Sequence, residues 1–173
     1  MQGLLHPLQT PSHLILIVSL SFLIGQIIKN QQLVKYILIL FITAALGVFL
    51  NQNIQLPKNY NMELILLTTA LIVGLLIVIR FEQSNTRLLG LIIALSGIFL
   101  GYDSSPVIIP GLGSNSIYNW IAGAVFTVII STSLLSISAL LLRPYWDGII
   151  LRVIGSWVAT SALFTLTLSF APQ

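Results

Sequence analysis

Met62-Glu63-Leu64-Ile65-Leu66-Leu67-Thr68-Thr69-Ala70-Leu71-Ile72-Val73-Gly74-Leu75-Leu76-Ile77-Val78-Ile79 decides the fold class. Its single charged residue, Glu63, stands at its start. A helix needs about 20 mostly apolar residues to cross the hydrocarbon core of a bilayer, and this run has nearly that length. In water it would have to be enclosed on every side. The chain lacks the means: of its 173 residues 57% are hydrophobic and 6% charged, against about 25% charged in a soluble domain. Bilayer is the solvent that such a composition fits.

Working outward, five more runs have the same character. They cover about 12–28, 32–50, 86–102, 117–142 and 148–170, with 62–79 as the third in order. The expectation is an all-α, polytopic transmembrane bundle of six spans, a single domain over 1–173. Thr10 is placed to cap the first span and Pro11 to open it, since a first-turn proline sacrifices no helical hydrogen bond. Asn51 to Asn61 reads as a polar loop around Pro57, and Asp103 to Ser116 as the longest loop, rich in Gly, Pro and Ser. Arg143-Pro144 ends the fifth span, and Tyr145 and Trp146 stand where an interfacial aromatic belt belongs.

Lys and Arg give the orientation. Lys29, Lys35, Arg80, Arg87, Arg143 and Arg152 fall on one side of the six spans, and Lys58 alone on the other. Cytoplasmic loops carry the excess, so both termini are expected outside the cytoplasm. The N-terminus has no basic n-region, so the first apolar run is expected to remain as a span. The net charge of +3 comes from basic residues scattered singly at span ends, the pattern of topology. A nucleic-acid-binding face would cluster them. The partner that composition implies is the lipid bilayer, with a bacterial plasma membrane or an internal bacterial membrane as its setting.

The chemistry on offer is sparse. There is no cysteine, which excludes disulfides and thiolate metal sites. No carboxylate pair, Ser/His/Asp set or HExxH motif is present, so no enzyme is expected. Gly25, Gly47, Gly74, Gly97, Gly123 and Gly155 fall one per span, which reads as close helix–helix packing. Thr127, Ser131, Thr132, Ser133, Ser136, Ser138, Ser156, Thr160 and Ser161 form a hydroxyl series on the last two spans. Such hydroxyls usually bond their own backbone or a neighbouring helix; the alternative reading is that they line a hydrated path. Four ionisable residues gather on the extracytoplasmic side: His6, His13, Glu63 and Asp103. Imidazole with carboxylate suits a divalent ion such as nickel, cobalt or zinc. The simpler reading is that they are solvated end-of-helix residues.

Gly3-Leu4-Leu5-His6-Pro7-Leu8-Gln9-Thr10-Pro11-Ser12-His13-Leu14 resembles the first-helix motif of the HupE/UreJ family, roughly G-h-x-H-P-x-x-x-x-D-H-L. That family comprises small six-span proteins linked to hydrogenase and urease maturation and regarded as nickel or cobalt permeases. Gly123 to Ala139 is similar to its fifth helix and Arg152 to Leu163 to its sixth. The departures are specific. Ser12 stands where the motif has Asp. The second signature, approximately F-H-G-x-A-H-G-x-E, falls on Phe99-Leu100-Gly101-Tyr102-Asp103-Ser104-Ser105-Pro106-Val107, which keeps only Phe99 and Gly101. Ser136 stands where the fifth helix has His. The resemblance thus implies a permease scaffold that retains His6 and His13 and has lost the other ligands. Two functions follow as expectations. One is a nickel or cobalt permease with a degenerate site. The other is a non-transporting accessory or structural subunit of a larger membrane complex.

Overall fold

The computed structural model describes residues 2–27, 32–53, 61–79, 86–104 and 114–170. Among these the fold is all-helical: α1 (Gln2–Gln9), α2 (Pro11–Ile27), α3 (Leu33–Asn53), α4 (Met62–Ile79), α5 (Thr86–Asp103), α6 (Ser114–Leu142) and α7 (Ile149–Ser169), with a 3-10 turn over Tyr145–Gly148 before α7. Four helices are long and apolar enough to cross a membrane: Leu33–Asn53, Met62–Ile79, Tyr118–Leu142 and Ile149–Ser169. Pro11–Ile27 is equally apolar in character but shorter, at 17 residues.

The expected spans coincide with helices to within a few residues. The start of the chain departs from expectation, because a separate helix precedes the first span. Pro11 has no N–H with which to continue α1, so the chain bends at Thr10. Thr10 does occupy the capping position, since its carbonyl accepts from the Leu14 N–H at 3.1 Å. Its hydroxyl does something else: it donates back to the His6 carbonyl at 2.9 Å. The fifth span begins earlier than expected, at Ser114, because the helix takes up the end of the Gly/Pro/Ser-rich segment. Gly148 starts α7 in the left-handed region, φ 78°, where a side chain would be strained.

α2 is the centre of the bundle. Thirteen of its 17 residues are buried, and it packs chiefly against α6 and α4, then α7. A helix apolar on every face can be surrounded by lipid or by other helices, and around α2 it is helices that take most of the surface. Around it, α3 packs on α5 and α4 on α7. These contacts are made backbone to backbone, through glycine. On α3, a Cβ at Gly47 would run into the Ile98 carbonyl of α5; on α5, one at Gly101 would run into the Ala44 carbonyl. A Cβ at Gly74 would lie 3.0 Å from the Ala159 nitrogen and 3.1 Å from the Gly155 carbonyl of α7. Small residues allow this approach where lipid supplies no hydrophobic drive between helices. The one-glycine-per-span pattern is realised in this way at Gly25, Gly47, Gly74, Gly97 and Gly155.

Contacts fix helix directions. Tyr36 faces Gly90 and Ala44 faces Gly101, so α3 and α5 run the same way. Gly74 meets Ala159 while Ile77 meets Gly155, so α4 and α7 run oppositely. Helix ends are closed by side chains of neighbours. The Ile77 carbonyl of α4 accepts from Gln26 Nε2 at 3.0 Å, and the Val78 carbonyl from Arg152 Nε at 3.0 Å. The Tyr102 carbonyl of α5 accepts from Asn51 Nδ2 at 2.7 Å. These are carbonyls that a helix C-terminus leaves without intrahelical partners. The outward faces are apolar: Val34, Phe49, Phe126, Leu141, Trp157 and Phe164 are each more than half exposed. Surfaces of this extent belong against lipid rather than water.

Candidate functional site

Three of the four ionisable candidates converge at one end of the bundle. His13 lies in the first turn of α2 and is fully buried. Asp103 is the last residue of α5, ninety positions away. His13 Nε2 donates to Asp103 Oδ2 at 2.7 Å. His6, on α1, packs edge-on against the His13 ring with centroids 5.5 Å apart. The bend at Thr10 brings it there. On its other side His6 meets Trp120 of α6, centroids 5.6 Å apart. α1 thus folds back against the start of α6 and closes this end of α2.

The pKa of His6 lies below its ordinary value of 6.5. Burial is the main cause, because desolvation penalises the imidazolium. The nearby His13 pushes the same way, and Asp103 partly opposes them. His6 is therefore held neutral to lower pH than an exposed histidine, and a neutral imidazole has a lone pair to offer. Glu63 takes no part in these contacts. It is exposed in the first turn of α4, where the helix dipole favours a carboxylate. Among the described residues no three His, Cys, Asp or Glu side chains come together in a geometry that could hold a metal ion.

The structure divides the hydroxyl series that the sequence offers. Among the described residues six buried side-chain polar atoms have no hydrogen-bond partner: Ser12 Oγ, His13 Nδ1, Gln26 Oε1, Trp120 Nε1, Thr132 Oγ1 and Ser136 Oγ. The hydroxyl series divides here. Ser133, Ser138, Ser156 and Thr160 donate to their own helix backbone, as expected. Thr132 and Ser136 do not. Their spacing of four on an inward stripe with Ala124, Val128 and Ala139 was the available signal. Ser12 and Ser136 both prove fully buried and unpartnered.

The family described as HupE / UreJ protein matches residues 1–165 of the chain. No curated protein and no solved structure matches it.

Proposed function

The chain belongs to the HupE/UreJ family, and from that premise we propose that it is a six-span protein of a bacterial plasma or internal membrane, with both termini outside, that admits a divalent cation of the nickel or cobalt type. One observation carries this reading. His13 gives one ring nitrogen to a carboxylate and leaves the other, Nδ1, buried with no partner. Metal-binding histidines characteristically do this: the carboxylate fixes tautomer and ring orientation and leaves the opposite nitrogen as the ligand. In this account Asp103 is the residue that orients, and His13 Nδ1 and His6 are the donors at the outer entrance. Glu63 stands apart as a solvated helix-start carboxylate. No enzymatic step belongs to the account.

Transport also needs weak enough binding to release the ion, and a site of two imidazoles is weaker than a closed cage. The test is cobalt or nickel uptake by cells that make the protein. His13→Ala and His6→Ala are each expected to lower uptake by an order of magnitude, because each removes one of two donors. Unchanged uptake in both variants would end this reading.

A second reading is supported by a different observation. Among the described residues no three His, Cys, Asp or Glu side chains are arranged to hold a metal ion. A scaffold of this kind, kept for its packing, would serve as a non-transporting subunit of a membrane complex. Extraction in a mild detergent separates the two readings. A subunit co-purifies with larger partners at fixed stoichiometry, and a self-sufficient permease does not.

A further inference from the structure

Among the described residues the six unpartnered buried polar atoms lie on two helices, three on α2 and three on α6, and none on α3, α4, α5 or α7. The asymmetry is informative, because a buried polar group without a partner is costly and native structures hold few. The α3–α5 and α4–α7 pairs are closed by glycine-to-backbone contacts, as α2–α6 is at Gly25, but among the described residues α3, α4, α5 and α7 leave no buried polar side-chain atom stranded. α2 and α6 run in the same direction. Their starts meet through His13, His6 and Trp120, and their ends meet where Gly25 abuts Ala139 and Ser136. Thr132 and Ser136 are 0% exposed, so as drawn together the helices leave their hydroxyls no water. Each could donate to its own helix, as Ser133 and Ser138 do, yet neither does.

We propose that the α2–α6 contact is the seam of the bundle that opens to water. Ser12, His13 Nδ1, Thr132 and Ser136 then form the polar wall that a hydrated divalent cation meets as it passes. Opening supplies each of these groups with the partner it lacks in the closed arrangement. The route runs from the imidazoles at one end toward Ser136 at the other, where Gly25 abuts α6. Oxygen and neutral nitrogen donors in single file are suited to exchanging hydration waters one at a time. This extends the uptake reading to a route, and the two fail separately.

The chain has no cysteine, so single cysteines report cleanly. Ser136→Cys and Thr132→Cys, in the full-length protein in native membranes, would be exposed to a small membrane-impermeant methanethiosulfonate. Gln52→Cys is an exposed control. Ser96→Cys is a buried one on α5, where the native hydroxyl bonds Ile92. The expected result is modification at 132 and 136 at least about tenfold faster than at 96, as local opening requires. Protection equal to that at Ser96→Cys, in variants that elute as the parent does, overturns the seam. Labelling without cation uptake leaves the seam standing and removes the permease. Uptake without labelling removes the seam alone.

Discussion

At the scale of the residue, the structure turns on His13. Its Nε2 hydrogen bond to Asp103 ties the start of α2 to the end of α5. Asp103→Ala would leave a fully buried ring with neither nitrogen partnered, a loss of about 1–3 kcal/mol. A lower melting temperature in detergent is the expected result, with His13→Ala/Asp103→Ala losing less than the sum of the single variants, because the two act as one pair. Strict additivity would show that the bond contributes nothing. His6 supplies the pH dependence. Its folded pKa lies below 6.5, so the unfolded chain takes up its proton first as pH falls. The stability due to His6 is therefore complete above 6.5 and is lost as pH falls through the lowered value. For the metal-free protein the melting temperature should fall with acidification below 6.5, and His6→Ala should flatten that slope. An unchanged slope in His6→Ala would rule out the desolvated imidazole as its source. The His6/His13 pair was legible as two imidazoles seven positions apart on a resembling motif, and Asp103 through topology. Trp120, Thr132 and Ser136 were not, since a hydroxyl's lack of a partner depends on the helix packed against it.

At the scale of the element, the bundle is held by glycines that admit a neighbouring backbone. Gly47→Ala would place a methyl against the Ile98 carbonyl. In an exposed helix this exchange gains about 1 kcal/mol of helix propensity. Here it should lower the melting temperature, and a rise would mean that α3 and α5 are less closely packed than described. The long helices could be read from sequence because an apolar run of 17 residues or more leaves little choice of structure. Helix α1 could not be read. It has eight residues with Pro7 inside, too few for its apolar stripe to stand out in the sequence, and it packs chiefly on α6. Nor did composition mark α2 as the central helix. All the spans are apolar on every face, so hydrophobicity does not distinguish a helix surrounded by protein from one facing lipid.

At the scale of the whole molecule, apolar outer faces, a sparse polar interior and membership of the HupE/UreJ family make one consistent object: a helical membrane bundle whose unpartnered buried polar atoms, among the described residues, lie on α2 and α6. The proposed topology has a direct check. A protease-cleavable tag at either terminus should be removed from intact spheroplasts, and a tag placed beside Arg143 should be protected. The central claim is that this bundle passes a divalent cation by way of His13. It is tested most directly by reconstituting the purified protein in liposomes and measuring entry of radiolabelled cobalt, with His13→Ala alongside. The account predicts entry well above protein-free liposomes in the parent and near that background in His13→Ala. Equal entry in both, or none above background in either, would contradict it.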